Sequence, residues 1–224
     1  MKKKNRFAIG IVAAIIILTV IIISLIVTYI LYLFNYIPHK KYSNEYFDIQ
    51  PYISEVDKDG DGIDDQTDIL ENVKKYVSTK PKYKSQYYST GYPNDGYGVC
   101  TDVVAFGLKD AGYDLMTLVN EDIKNNPNDY NIETIDINID FRRVRNLKVY
   151  FDNNAVSLTT DINQIEEWQG GDIIIFENHI GVISDNRNKK GIPLVIHHAT
   201  PYQANYEEDF LESSDNIVGH YRIS

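Results

Sequence analysis

The chain has 224 residues, 43% of them hydrophobic, and a formal net charge of −10 at pH 7. All 32 acidic residues and 18 of the 22 basic ones follow position 34, so the part beyond it carries a surplus of 14 negative charges. That surplus excludes nucleic acid and anionic lipid as partners of this part, and a lone cysteine, Cys100, excludes an internal disulfide.

In chain order, residues 1–6 form a short basic tail with Lys2, Lys3, Lys4 and Arg6. Residues 7–34 contain no charge at all. At about 1.5 Å of rise per residue this run is long enough to cross about 30 Å of hydrocarbon as a helix. The basic tail predicts a cytoplasmic N-terminus and an extracytoplasmic C-terminal part. An apolar run this long, with no small-residue cleavage site after Tyr29, reads as an uncleaved single-pass anchor in the cell membrane rather than a signal peptide.

Residues 35–56, rich in Tyr and Lys at their start, read as a linker. Residues 57–68 are an acidic, glycine-broken loop. Asp57, Asp59 and Asp61 stand at positions 1, 3 and 5, with Gly62 at 6, Asp65 at 9 and Asp68 at 12. This spacing resembles an EF-hand-type calcium loop with Asp in place of the terminal Glu, so a structural calcium is expected there. The competing reading is that these acids cap the helix that follows. Ile69, Leu70, Val73 and Val77 recur at helical spacing and predict a helix over 67–77.

Residues 80–99 read as loop. From Cys100 a stripe of Val103, Val104, Leu108 and Ala111 predicts a second helix ending near Gly112. Residues 123–140 read as a polar surface excursion and 145–153 as a short helix. The last third predicts strands over 172–176, 179–184, 194–199 and 219–223. Helices followed by an antiparallel meander make the class α+β.

Cys100 follows a turn-forming stretch and opens its helix. Free N–H groups and the positive end of the dipole at such a place stabilise a thiolate and can bind an oxyanion. A thiol nucleophile needs a base, and His179 begins a predicted strand in which His179, Gly181 and Ile183 share one face. His197 and His198 are adjacent, so they point to opposite faces and only one of them can join His179. A zinc site of Cys100, His179 and His197 is a further arrangement of the same residues.

The stretches Gly98-Val99-Cys100-Thr101-Asp102-Val103, Asn138–Val144, Trp168-Gln169-Gly170-Gly171-Asp172-Ile173, His179–Asp185 and Gly219-His220-Tyr221-Arg222 together resemble the bacterial family called domain of unknown function 1287, over residues 62–223. That family in turn resembles the NlpC/p60-type papain-like peptidases and amidases of the bacterial cell wall. The resemblance implies a papain-like fold with Cys100 as nucleophile, His179 as base and His197 as third member, His198 being the alternative. It implies a hydrolase acting on peptide or peptidoglycan, with no cofactor needed for catalysis. Arg142 and Arg143 suit carboxylate recognition, or else a structural ion pair. A non-catalytic wall-binding or scaffold module and a thiol acyltransferase are the alternative functions.

Overall fold

The protein is described from a computed structural model covering residues 2–214 and 216–223, without the side chains of residues 2–8. The basic cluster at Lys2, Lys3, Lys4 and Arg6 therefore lies outside the described side chains. The chain divides into two compact units, residues 1–39 and 40–224.

In the first unit, α1 spans Lys2–Leu33. Its stretch Ile9–Leu33 is 25 residues long with a mean hydropathy of 3.2. Ile and Val are mediocre helix formers in water. In lipid, however, every backbone polar group must be satisfied within the segment, and a helix does that. This helix is long and apolar enough to cross a membrane or to act as a signal sequence.

The second unit is α+β. Its elements are β1 (Tyr42–Ser43), α2 (Asp65–Ser78), β2 (Lys82–Tyr83), β3 (Tyr97–Gly98), α3 (Cys100–Asp110), α4 (Leu115–Asn125), α5 (Ile137–Asp140) and α6 (Val144–Asn154), then β4 (Val156–Ser157), β5 (Ile173–Phe176), β6 (Ile180–Arg187), β7 (Pro193–Ile196), β8 (Glu207–Glu208) and β9 (Ile217–Arg222). The main sheet runs β4-β9-β5-β6-β7-β8, with β1 added to the far end of β6, and every pairing in it is antiparallel.

The pleat gives the sheet two apolar faces. Ile173, Ile175, Ile180, Val182 and Ile196 face the helices and pack with Ile69, Val73, Val103, Val104, Leu108 and Leu147. Ile174, Phe176, Ile183 and Val195 face the other way and join Trp168, Ile192 and Leu211. Both faces being covered explains why β5 reads as an unbroken Ile-Ile-Ile-Phe run instead of an alternating one.

α2 starts because Asp64 caps it, accepting from the Thr67 amide at 3.3 Å, and it ends where Lys80 takes φ +54° ahead of Pro81. α3 crosses α2 at Gly107, where an added Cβ would run into the Val73 side chain. Such close approach is possible only for glycine.

Three segments differ from expectation. Residues 35–56 are more than a linker: Tyr42 pairs with Arg187 in the sheet, and Asn44 Oδ1 accepts from Arg187 Nε at 2.5 Å. Arg187 is fully buried and otherwise donates to the carbonyls of Ile165, Trp168 and Gly191, so Asn44 completes a cage the sheet needs. Within 80–99, β2 and β3 form a small parallel pair. α4 was not anticipated, and its last residues occupy the start of the supposed polar excursion, which also contains α5.

Candidate functional site

Cys100 is the first residue of α3. The extended residue Val99 precedes it, and Val99 N–H donates to Asp102 Oδ2 at 2.8 Å, so the carboxylate three residues on holds the helix start. Gly98 is required just before, because a Cβ there would collide with the Tyr76 hydroxyl. The Cys100 thiol is half-buried, and burial pushes its pKa up to about 11. The backbone amides of Ile180 and Thr101 pull it the other way, and the Asp102 charge adds to the rise. The Ile180 amide belongs to the residue after His179, so the thiol lies at the very start of β6.

His179 closes the β5–β6 hairpin through its carbonyl, which accepts from Phe176 N–H at 2.8 Å. Its ring lies near Phe176 and Phe210, on the sheet side away from α3. Burial, then the neighbouring imidazoles of His197 and His198, lowers its pKa to about 3. Thiol and imidazole are therefore both neutral at rest. Burial thus acts on this thiol against the helix-start amides that would favour a thiolate. The thiol lies on the helix side of the start of β6 and the imidazole on the other side of the sheet, and among the described residues no hydrogen bond joins them.

The histidine pair is resolved by register. Gly181 lies opposite His197, whose Cβ would be 3.2 Å from a Cβ at Gly181. His197 thus shares the His179 face, and His179 Nε2 and His197 Nδ1 stand 2.8 Å apart. His197 Nε2 in turn lies 3.2 Å from Glu208 Oε2. Glu208 faces Val195 across the β7–β8 pair and so reaches the same side. A carboxylate only accepts, so His197 Nε2 carries the hydrogen toward Glu208. In the tautomer where His197 Nδ1 accepts from His179 Nε2, His179 Nδ1 is left as a lone pair. Glu208 had no signal in the sequence, since only the fold brings it beside His197.

His198 points to the opposite face. Its ring meets those of Tyr83 and Tyr206 edge-on at 5.3 and 5.0 Å, and its buried Nδ1 has no hydrogen-bond partner. A zinc site at Cys100, His179 and His197 is not formed. Among the described residues the only three such ligand groups that converge are Asp57, Asp59 and Asp61.

The two arginines separate. Arg142 is buried and clamps Asp102 with Nε at 2.7 Å and Nη2 at 2.9 Å, while Nη1 donates to the Gln86 carbonyl at 2.8 Å. Its guanidinium is committed to the helix start beneath Cys100, so the ion-pair reading describes it and the substrate-binding one does not. Arg143 is exposed, 3.9 Å from Asp140, and borders a cleft of about 370 Å³ with Arg145, Glu177 and Asn178, beside the hairpin that carries His179.

The acidic loop holds three of its five predicted ligands together. Asp57, Asp59 and Asp61 are exposed and converge. Loop amides already meet them: Asp57 Oδ1 accepts from Gly60 at 2.8 Å, Asp57 Oδ2 from Gly62 at 2.9 Å and Asp61 Oδ1 from Ile63 at 2.8 Å. Asp65 departs from the expected ligand set. It is buried, accepting from Lys58 N–H at 2.7 Å and from the Tyr113 hydroxyl. Asp68 is not among the converging carboxylates. It is held by Asn72 Nδ2 at 2.8 Å, and burial, then Asp61 and Asp59, raises its pKa to about 6.

The remaining motifs are structural. Asp172 is fully buried and accepts from Arg222 Nε at 2.7 Å, Gln66 Nε2 at 2.9 Å and Gln169 N–H at 2.8 Å, with His220 Nε2 3.0 Å away. His220 stacks on Trp168 with centroids 3.9 Å apart. The Trp-Gln-Gly-Gly-Asp and Gly-His-Tyr-Arg stretches thus form one polar knot.

The model of the family described as domain of unknown function (DUF1287) matches residues 70–223, and the chain belongs to that family. An uncharacterized protein of Escherichia coli K12, YijF, is 33% identical over 167 residues, which cover 69% of this chain and 80% of YijF. No solved structure matches the chain.

Proposed function

We propose that the protein is a thiol amidase or endopeptidase of papain-like, NlpC/p60-like type, held at the membrane by α1 with residues 40–224 outside the cytoplasm, and that it hydrolyses amide bonds of peptidoglycan stem peptides. The observation that carries this reading is the hydrogen-bonded row of His179, His197 and Glu208, with Cys100 opening α3 and its thiol beside the amide of Ile180, the residue after His179.

In the reaction, His179 Nδ1 takes the thiol proton as sulfur attacks the amide carbonyl, and the S–C bond forms. The proton passes to the departing amine as the C–N bond breaks. Water then attacks the thioester, His179 takes its proton, and an acid leaves as the thiol is restored. The resting pair is neutral, so His179 works as a general base during attack. The amides at the start of α3 supply donors for the oxyanion. Arg143, exposed beside the His179 hairpin, would meet a substrate carboxylate.

Intact-mass spectrometry after an acid quench tests the thiol chemistry. Peptidoglycan-derived peptides should leave an acyl adduct on Cys100 that is absent from Cys100→Ala. Added amines should not divert the product, which separates a hydrolase from an acyltransferase. An inert Cys100, with no adduct and no product, would return the protein to the scaffold reading.

A further inference from the structure

The chain just past the end of β7 carries a buried group that the proposed reaction does not use. His198 is 3% exposed, its Nδ1 has no partner, and burial holds it neutral with a pKa lowered to about 4. A buried polar nitrogen left unpaired costs stability, and natural folds tolerate few. The His198 residue borders a cleft of about 370 Å³ together with Lys80, Lys82, Tyr83, Tyr97 and Tyr206. The Tyr76 hydroxyl, packed behind Gly98, is a second buried polar atom without a partner.

Charge sets this cleft apart. The part of the chain beyond position 34 has 14 more acidic than basic residues, yet no acidic residue lines the cleft. Neither Lys80 nor Lys82 forms a salt bridge among the described residues. Lys84, two residues on, lies over the Tyr97 ring at 5.1 Å. Two lysines without a salt bridge, three tyrosines and a neutral imidazole in one lining favour an anion carried on a compact polar body. One wall, β3, runs directly into Cys100.

We infer that this cleft is a binding subsite for a carboxylate-bearing part of a ligand, recognised by Lys80 and Lys82 with His198. A carboxylate of this kind occurs on an acidic sugar and at a peptide C-terminus. The cleft needs no thiol chemistry, so the inference stands apart from the amidase reading. If that reading holds, the cleft places the substrate on the β3 side of Cys100.

Calorimetric titration of the full chain carrying Cys100→Ala, in nanodiscs of zwitterionic lipid, tests this. The probes are N-acetylmuramic acid, its neutral counterpart N-acetylglucosamine, and N-acetyl-alanyl-alanine with and without a C-terminal amide. The expected result is binding of one or both carboxylate probes, with the matching neutral probe about tenfold weaker or more. The stronger of the two identifies sugar or peptide as the source. Lys80→Gln with Lys82→Gln should weaken binding by roughly tenfold, as should raised salt, whereas Lys124→Gln on α4 should not. His198→Phe removes the unpaired nitrogen, so it should raise the melting temperature while abolishing binding. Equal affinity for charged and neutral probes, no binding by any probe, or binding untouched by the lysine pair would overturn the inference.

Discussion

Cys100 and His179 are neutral for the same reason: water is kept from both. Alkylation of Cys100 should therefore accelerate steadily as pH rises from 7 toward 10, without levelling off below pH 9. A plateau near pH 7 would mean an ion pair that burial forbids. The His179 shift also reports on stability. Its folded pKa, about 3, lies below the unfolded value of 6.5, so its contribution is complete above pH 6.5 and is lost as pH falls toward 3. Asp68 has the opposite sign, its folded pKa of about 6 lying above 3.8, so its contribution is complete below pH 3.8 and is lost as pH rises through 6. Comparing wild type with His179→Gln isolates the histidine. Between pH 7 and 5 wild type should lose about 2 kcal/mol more than the variant, read from urea denaturation. Equal losses would place His179 in water. Glu208→Gln is a sharper probe of the relay, because the amide can donate to His197 Nε2 and reverse the tautomers. Turnover should fall by a factor of about 100 or more with an unchanged melting curve and a shifted pH profile. The period of two along each strand showed that only one of His197 and His198 could share the His179 face, and the register of β6 and β7 selects His197. Glu208 and the commitment of Arg142 to Asp102 were not, since both depend on partners that only the fold brings near.

At the scale of elements, α3 depends on what lies beneath it. The Asp102–Arg142 pair is buried on both sides, with side chains 0% and 2% exposed. Removing one member strands the other, which costs about 3–5 kcal/mol. Asp102→Ala should therefore destabilise by that order in chemical denaturation, and Asp102→Leu with Arg142→Met by much less. Gly107→Ala should cost about 1–3 kcal/mol through overpacking at Val73, and a neutral result would mean that α2 and α3 can part without penalty. The stripes of α2 and α3 were legible because Ile69 and Val73, and Val104 and Leu108, recur every four residues. α4 has the same signal in Leu115, Val119 and Ile123, but its Asn- and Asp-rich surroundings read as a surface loop. β1 reads as linker because two residues carry no period, and its place is fixed by Asn44 and Arg187, far apart in sequence. Asp65 fits a calcium loop by spacing alone and is drawn into the core by Tyr113, a contact that no local pattern foretells.

For the whole molecule, the apolar run was the plainest feature of the sequence, and the helix over Ile9–Leu33 has the length and hydropathy of a membrane span. The acidic character of residues 40–224 suits a domain facing an ionic exterior, and the proposed topology puts its thiol within reach of the wall. The central claim is that Cys100 opens amide bonds there. Mass spectrometry of muropeptides incubated with the membrane-reconstituted protein tests it most directly. The account predicts new stem-peptide fragments, each pair heavier than its parent by one water, produced by wild type and lost in Cys100→Ala and His179→Gln. Undigested muropeptides with wild type, or fragments that persist in Cys100→Ala, would contradict it.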